Sequence, residues 1–302
     1  MKPKKQATSR KAVIGPFVER LMKSLFFLCS AVVILVTLLI TLFLFREGLP
    51  ALMQVPLWDI FTGVIWQPPA ENPKFGVLPL ITGSAVITLT SLLLATPLGL
   101  AVALYLSEFS RSLERDVLKP LVELLAAIPS VVFGFFALVV VSGWIHGLFG
   151  VGTRLNALNG AVVLTLMVLP TIASISEDVL NSVPRDLKEA AYALGATRLQ
   201  IIRRVILPYA RRGIAVAVLL GFGRAIGETM AVLMATGNAA VISLNILTSM
   251  ETMTAAIAIE MGEVVFGSLH YQMLFFLGIL LFLISSAVNI IADYIITRGR
   301  LR

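Results

Sequence analysis

Long stretches without Asp, Glu, Lys or Arg are the feature that most limits how this chain can fold. Five are uninterrupted and a sixth contains only Arg224 and Glu228; they cover residues 24–45, 75–107, 124–153, 155–176, 213–250 and 264–292. Each is long enough for a helix to cross the hydrocarbon core of a bilayer, which takes about 20 apolar residues. They predict an all-α integral membrane protein with six transmembrane helices, near residues 23–45, 82–106, 120–142, 160–180, 212–236 and 272–296.

The composition excludes the main classes of soluble protein. Charged residues make up 14% and hydrophobic residues 58% of the 302 residues, whereas about a quarter of a typical soluble domain is charged. Too few charges remain to cover a water-facing surface of this size. A soluble enzyme, a disordered chain and a nucleic-acid-binding domain are therefore excluded, despite the net charge of +7.

The distribution of lysine and arginine predicts the orientation of the spans. Basic residues are concentrated in the N-terminal segment, in the loops 107–119 and 181–212 and at the C-terminus. The segments on the other side contain only Arg46, Lys74 and Arg154. Short cytoplasmic loops carry the excess of basic residues in membrane proteins. Both termini are therefore expected in the cytoplasm.

This orientation divides the chain into five parts. A cytoplasmic segment, 1–22, precedes an extra N-terminal transmembrane helix, 23–45, which is too long and too uniformly apolar for a cleaved signal peptide. An external linker, 46–76, is rich in proline and is expected to be irregular. The transmembrane domain covers residues 77–297, and a cytoplasmic tail covers residues 298–302.

The cytoplasmic loop 181–212 has the pattern of two short amphipathic helices. Gly195 is a natural stop for the first helix. Thr197, with Gln200 three residues later, forms a capping box that begins the second, and Pro208 is expected to end it. Such a pair of helices can lie on acidic lipid headgroups or fit a groove in a cytoplasmic partner.

A spaced motif in this loop favours the second alternative. The pattern E-A-A-x3-G-x9-I-x-L-P is present with valine in place of the isoleucine, on Glu189, Ala190, Ala191, Gly195, Val205, Leu207 and Pro208. This segment resembles the EAA loop of ATP-binding-cassette (ABC) importer permeases. The resemblance implies that the loop contains coupling helices, which dock on an ATPase subunit and pass its closure to the membrane helices.

Two opposite charges lie inside the fifth predicted span, in the sequence GFGRAIGETMAV. Counting from Arg212, Arg224 should sit roughly 18 Å deeper, close to the middle of the bilayer, at 1.5 Å per residue. Glu228 is expected one turn further out on the same helix face. A charge at a helix centre costs about 2.5–3.5 kcal/mol, so neither side chain is expected to face lipid.

These charges have two interpretations. They can form a structural ion pair, although arginine before glutamate is the weaker order on a helix. They can instead mark the path of an anion, where Arg224 offers a planar fork of donors to an oxyanion and Glu228 holds Arg224 in place when substrate is absent. Thr229 and Ser130 carry hydroxyl groups that can donate to the same anion.

The segment GRAIGETMAV, residues 223–232, looks like the signature of phosphate-import permeases of the Pst type. Four further segments agree with the C-type subunit: 75–84, 95–109, 121–135 and 267–272. The resemblance covers roughly residues 75–296. It implies a MetI-like ABC permease core from the second span onward, located in the bacterial inner membrane, and it favours a substrate path at Arg224 and Glu228.

The same resemblance implies the partners. They are a homologous second permease of the A type, two ATP-binding ATPase subunits, an external phosphate-binding protein, phosphate and membrane lipid, with no nucleic acid. No lysine follows a glycine in the chain, as a P-loop requires. We therefore expect a non-catalytic subunit without a cofactor, whose partner ATPases use ATP and Mg²⁺.

Other functions remain open from the residues alone. The chain can be a permease for another oxyanion such as sulfate, molybdate or phosphonate. It can also be a channel or secondary transporter that works alone, or a membrane scaffold that senses phosphate.

Histidines and tryptophans on the external side have simpler interpretations. His146 and His270 stand alone in the sequence, so no metal site is expected. Trp58, Trp66 and Trp144 fall at or beyond the external ends of spans, where tryptophan anchors a protein at the membrane interface.

Overall fold

Helices form nearly all of the regular structure. The computed structural model describes residues 16–150 and 152–300, so most of the predicted segment 1–22 and the end of the tail 298–302 lie outside the described residues. Contacts divide the chain into two compact units, Met1–Arg46 and Glu47–Arg302. Six helices in the described part are long and apolar enough to cross a membrane, as predicted: Val18–Gln54, Leu78–Phe109, Ser130–Phe149, Ala157–Asn181, Arg198–Ile226 and Leu269–Ile295.

The first helix, α1 (Pro16–Gly48), is longer than the predicted span 23–45. Its apolar side chains are exposed around the whole circumference over most of its length. Ser30, Thr37 and Thr41 donate their hydroxyl hydrogens to main-chain carbonyls one turn earlier, which satisfies these groups within the helix itself. A helix that is apolar all round suits a lipid environment.

The external linker contains short elements instead of the irregular chain predicted from its prolines. It forms two short helices and one antiparallel hairpin: α2 (Ala51–Gln54), α3 (Leu57–Thr62), β1 (Trp66–Gln67) and β2 (Lys74–Phe75). Pro50 and Pro56 directly precede the two helices, because a fixed φ suits a helix start. Gly63 and Gly76 touch so closely that a Cβ on either would collide with the main chain of the other.

Two long helices, α4 (Leu78–Leu104) and α8 (Ala157–Asn181), pack against each other at the centre of the second unit. Glycine allows the close approach: a Cβ on Gly99 would lie only 2.9 Å from Cγ2 of Ile172. Small residues serve this purpose in membrane helices, where packing replaces the hydrophobic effect as the force between helices. A π-helical turn, Tyr105–Phe109, continues α4 at its C-terminal end.

The third span differs from the predicted 120–142. An amphipathic helix, α5 (Ser112–Ala127), ends before Pro129, and the span then starts afresh as α6 (Ser130–Phe136), the π-helical turn Ala137–Val141 and α7 (Ser142–Phe149). Ile128 has extended backbone, with φ −67° and ψ 128°, because a residue before proline is pushed out of the helical region. The predicted bounds were wrong because the length of an uncharged stretch does not show where a helix within it is interrupted.

The fifth span also differs from the predicted 212–236, since it begins earlier and ends earlier. It runs through α10 (Arg198–Ile201), the π-helical turn Ile202–Ile206 and α11 (Leu207–Ile226), with a short α12 (Met230–Ala235) beyond an interruption. Pro208 does not end the second loop helix, contrary to expectation. The amide of Leu207 bonds to the carbonyl of Ile202, and Pro208 lies in the first turn of α11, where its missing N–H costs little.

An extended segment leads from α12 to the last two helices. Gly237 and Asn238 have positive φ, 82° and 51°, and the chain then returns so that the amide of Met250 donates to the carbonyl of Thr236 at 3.2 Å. The last elements are α13 (Met253–Glu260) and α14 (Leu269–Arg300). The segment therefore folds back toward the interruption in the fifth span.

Candidate functional site

The fifth span is interrupted where the sequence places its charges. α11 ends at Ile226, and Gly227, Glu228 and Thr229 separate it from α12. The interruption leaves main-chain groups without their helical partners. Irregular backbone within a membrane is tolerated only where it is buried in protein or lines a water-filled space. The interruption is therefore the first feature of a candidate site.

Arg224 lies one turn before the interruption and is exposed. Its Nη1 donates to Oγ1 of Thr171 on α8 at 3.1 Å, and within the described residues this is its one hydrogen bond. A guanidinium has five N–H donors, so most of them remain available. Because lipid contact is costly for this charge, Arg224 must face water or another protein in the membrane.

Glu228 is half-buried and does not pair with Arg224 in the part of the chain that the structure describes. This corrects the expectation that both charges share one helix face, because the helix ends at Ile226. The carboxylate instead accepts a long hydrogen bond, 3.4 Å, from the amide of Ala231 in the first turn of α12. The two charged groups are therefore separate parts of the site, and both remain open to a ligand.

Hydroxyl groups surround the interruption. Oγ1 of Thr254, on α13, donates to the main-chain carbonyl of Glu228 at 2.8 Å. Thr229 is half-buried, and its hydroxyl makes a long contact, 3.4 Å, with the carbonyl of Gly227. The site thus combines one cation, one carboxyl group and several hydroxyl donors.

Ser130 lies at the second interruption, directly after Pro129, and is half-buried. It stands one turn before Gly134, whose Cβ position lies 3.2 Å from Cα of Ala231 on α12. The interruptions in the third and fifth spans are thus brought near each other. This proximity is compatible with the role expected for Ser130.

The cytoplasmic loop forms the two predicted helices, α9 (Arg185–Ala193) and α10. Gly195 separates them with a φ of 78°. The predicted capping box is confirmed: the amide of Thr197 donates to Oε1 of Gln200 at 2.8 Å, and the amide of Gln200 donates to Oγ1 of Thr197 at 3.4 Å. The local pattern of the sequence thus decides the geometry of the loop.

The motif residues of this loop divide between its two faces. Ala191, Val205 and Leu207 pack against a buried apolar cluster that joins the loop to α4 and α8. Glu189, Ala190, Gly195 and Pro208 are exposed, together with several apolar side chains: Leu187, Tyr192, Leu194 and Leu199. Ile202 and Ile206 of the second loop helix are buried, whereas Leu199 of the same helix is 72% exposed. Exposed apolar groups of this kind are typical of a docking surface.

Comparison with known proteins decides the family. A family described as "Binding-protein-dependent transport system inner membrane component" matches residues 95–300. The chain belongs to this family. It is a multi-pass ABC transporter permease of the inner membrane, and the residues that align include both the coupling loop and the interrupted fifth span.

Among similar permeases, the "Probable ABC transporter permease protein YqgH" of Bacillus subtilis is 39% identical over 90% of this chain and 89% of its own. The "Phosphate transport system permease protein PstC" of Mesorhizobium japonicum is 37% identical over 80% of this chain and 79% of its own. The resemblance to C-type phosphate permeases is thereby confirmed.

Solved structures show the same fold. A chain of a bacterial alginate ABC transporter, in complex with an alginate-bound periplasmic protein, aligns with a TM-score of 0.61 at 17% identity, over 93% of this permease and 96% of that chain. A chain of the inward-facing MetNI methionine ABC transporter aligns with a TM-score of 0.52 at 21% identity, over 73% of this permease and 94% of that chain. The expected MetI-like fold is confirmed.

The permease also contains a buried charge cluster that the sequence analysis did not predict. Glu177, near the C-terminal end of α8, is fully buried and bonds to Arg115 and Lys119 of α5. The Lys119 Nζ lies 2.6 Å from Glu177 Oε2, and this hydrogen bond raises the pKa of Lys119. The cluster holds α5 against α8, and no local sequence pattern predicts it.

A second buried carboxyl group lies just before α13. Glu251 is only 6% exposed, and burial together with the nearby charge of Glu260 raises its pKa from 4.5 to about 7. Glu260 itself bonds to Trp66 and His270. Trp66 is 5% exposed, so it packs inside the protein and the expected role as an interface anchor was wrong. Within residues 16–150 and 152–300, no three His, Cys, Asp or Glu side chains are grouped to hold a metal ion.

Proposed function

We propose that this permease is the membrane subunit of an ATP-driven phosphate importer, in which Arg224 and Glu228 contact the anion during passage. The central observation is that Arg224 is exposed beside an interruption of a membrane-spanning helix, with one hydrogen bond to Thr171. Phosphate is the substrate named for several similar permeases. A guanidinium fork fits the oxygens of such an anion.

The open side of the site calls for a second membrane subunit. Arg224 is exposed in the single chain and cannot face lipid at acceptable cost. We propose that a homologous permease of the A type covers this face and contributes the opposite wall of the path. Hydroxyl groups of Thr229 and Ser130 would then complete the coordination of the anion.

The cytoplasmic loop supports the proposed ATPase partners. Its outer face exposes Leu194, at 89%, and Leu199, at 72%, as expected for a surface that a groove covers. Two ATPase subunits would bind the coupling loops of the two permeases and supply ATP hydrolysis, with ATP and Mg²⁺ held by the ATPases. The permease itself would have no catalytic role and no cofactor.

The external side would receive phosphate from a binding protein. The excess of basic residues in the loops 107–119 and 181–212 supports cytoplasmic termini. The linker 46–76 and the segments 142–159 and 237–270 would then lie outside. Closure of the ATPases would draw the coupling loops together and open the path outward, and release of the hydrolysis products would return it to the inward-open state.

Reconstitution with the partners added one at a time tests this proposal. Labelled phosphate should enter proteoliposomes only when the second permease, the ATPases, ATP and the loaded binding protein are all present. Uptake by this chain without ATPases would indicate a channel or secondary transporter. Stimulation of ATP hydrolysis by a binding protein loaded with sulfate but not phosphate would indicate another oxyanion. Binding without uptake would indicate a sensor.

Replacement of Arg224 tests the site itself. Arg224→Gln should lower uptake by about 100-fold or more, because an arginine contact to a passing charge is worth several kcal/mol in a water-poor site. Arg212→Gln changes an exposed arginine at the cytoplasmic end of the same helix and is the matched control, with uptake close to the parental rate. Normal uptake in an Arg224→Gln complex that inserts and assembles would remove this residue from the path.

A further inference from the structure

The π-helical turn at the end of α4 is held by both helices of the coupling loop. Nζ of Lys188, on α9, lies 2.6 Å from Oε1 of Glu108, and the two side chains are only 21% and 11% exposed. The guanidinium of Arg198, at the start of α10, lies 4.5 Å from the ring centroid of Phe109. Glu108 and Phe109, which are neighbours in the turn, are thus each contacted by a cationic side chain from a different loop helix.

These polar contacts lie beside an apolar one. Ala103, near the end of α4, shares a buried cluster with Ile201, Ile202 and Ile206 of the loop. An ion pair shielded from water loses less of its strength to salt than an exposed pair. The loop therefore holds the turn through specific polar contacts as well as apolar ones. The cations of Lys188 and Arg198 belong to the loop, and the carboxylate of Glu108 and the ring of Phe109 belong to the turn.

The other end of α4 touches the elements of the proposed anion site. Oγ of Ser84 accepts a hydrogen bond from the amide of Met253 at 2.9 Å, and Gly83 packs directly on the carbonyl of Glu251. One residue beyond Met253, Thr254 bonds to the carbonyl of Glu228. α4 thus contacts the segment that closes the interruption in the fifth span.

The two ends of α4 are joined by continuous helix. From Ser84 to Glu108 the helix rises about 36 Å at 1.5 Å per residue. Between them, Gly99 packs on Ile172, next to the Thr171 that bonds Arg224. If the end of α4 at Glu108 moved, the movement would therefore be passed to Arg224 through α8. It would also be passed to Glu228, through Thr254.

We propose that Glu108 and Lys188 are positioning residues that make the second span move with the coupling loop, so that α4 carries ATPase closure to Arg224 and Glu228. This rests on the proposed function for the ATPase contact and for the role of the site. π-helical turns are frequent at functional positions, and this one turns Glu108 and Phe109 toward the loop. The loop is joined covalently to α8 and α11, whereas its hold on α4 combines the apolar cluster with these polar contacts.

A charge exchange tests the route in the assembled transporter. Cys29→Ser removes the chain's one cysteine, and Gly227→Cys places a reporter at the interruption, where a Cβ would have its nearest neighbour at 3.6 Å. The reaction rate of this thiol with a water-soluble maleimide is measured with and without ATP. Anion uptake per ATP hydrolysed is measured in the same proteoliposomes without the reporter.

Lys188→Glu and Glu108→Lys should each abolish the ATP-dependent change in thiol reactivity. Each should also lower uptake per ATP about tenfold, which is typical of the loss of coupling between two sites. The double exchange should restore both quantities to within about twofold, and Lys188→Arg should keep them. Asp116→Lys, an exposed change on α5 that equals Glu108→Lys in charge and lies outside the coupling loop, is the control and should change neither.

The route is wrong if both single exchanges keep the parental response to ATP, or if the double exchange is no better than the singles. Where a reversal blocks assembly, Glu108→Gln and Lys188→Met give the same comparison with neutral side chains. A lost response in the assembled neutral variants supports the route, and a normal response overturns it. The thiol reaction does not depend on which anion is carried. A parental complex that responds to ATP but imports no phosphate would therefore overturn the proposed substrate and leave this route intact.

Discussion

Glu177 and Glu251 are both buried carboxyl groups, but their surroundings differ. Glu177 accepts hydrogen bonds from Arg115, Lys119 and Asn181, so its charge is compensated. Glu251 faces the repulsive charge of Glu260, and no ion pair of Glu251 occurs among the described residues. Burial costs a charged group several kcal/mol unless it is paired. The first carboxyl group therefore stabilises the fold as an anion, whereas the second is favoured in its protonated form.

Glu251 should make the stability of the permease depend on pH. Because its pKa rises from 4.5 to about 7 on folding, the folded state binds more protons than the unfolded state between these values. Stability then falls as pH rises through this window, by up to about 3 kcal/mol. Glu251→Gln should remove this pH dependence. The thermal unfolding midpoint of the variant in detergent, relative to that of the parent, should therefore be higher at pH 8 than at pH 5. An equal difference at both pH values would contradict the assignment.

Glu177→Gln should destabilise the second unit. The substitution leaves the cations of Arg115 and Lys119 without their buried partner, which costs about 3 kcal/mol, the lower end for a broken buried pair because both cations are partly exposed. Asp178→Asn is the matched control, since Asp178 is exposed and shares Lys119. It should change the free energy of unfolding by less than about 1 kcal/mol. Equal effects of the two substitutions would mean that burial does not matter here.

Individual residues differ in how far the sequence reveals them. Arg224 stands out because it interrupts an uncharged stretch, and counting from Arg212 predicts how deep it lies in the membrane. Glu251 has no such signal, since its burial depends on Gly83 in a distant helix. Trp66 misleads for a similar reason: its position near a span end suggests the membrane interface, but Glu260 accepts its N–H inside the protein.

Helix interruptions were the main difference between predicted and observed elements. The sequence Ile128–Pro129 contained a usable signal, because a residue before proline leaves the helical region, yet length and hydropathy dominated the prediction. The interruption at Gly227 had less warning, since membrane helices often contain glycine. Elements built on local rules, such as the capping box at Thr197 and Gln200, were predicted correctly.

Gly83 should be intolerant of a side chain. Gly83→Ala would push a Cβ into the carbonyl of Glu251, and forced overpacking of this kind costs about 1–3 kcal/mol. The substitution should lower the thermal unfolding midpoint and also weaken the contact between α4 and the segment that leads to α13. The same exchange at Gly143 of α7, where nothing lies within 4 Å, should be neutral or slightly stabilising. Similar midpoints for the two variants would contradict the close contact.

The orientation of the whole molecule can be tested with two exposed positions. In a Cys29→Ser background, Leu194→Cys and Leu244→Cys place thiols at sites that are 89% and 87% exposed. An impermeant maleimide should label the Leu244→Cys protein in spheroplasts and the Leu194→Cys protein only in inverted membrane vesicles. Labelling of both from one side would reject the predicted orientation.

At the scale of the molecule, the sequence predicted the class of fold and the family. Five uncharged stretches and a sixth with only two charges suffice to predict six spans, because a bilayer leaves few alternatives to long helices. The EAA spacing identified the ABC permeases because it fixes many residues within one loop. The contacts that join α4 to the coupling loop at one end and to Met253 at the other were not predictable, since they link residues far apart in the chain.

The contact between Gly83 and the carbonyl of Glu251 has a practical consequence for protein engineering. A library designed to change the transported anion can vary side chains such as Thr229 and Ser130, since both are only half-buried. Position 83 offers no such freedom, because even a methyl group has no room there. Selection from a library randomised at all three positions should therefore return many solutions at two of them and glycine at the third.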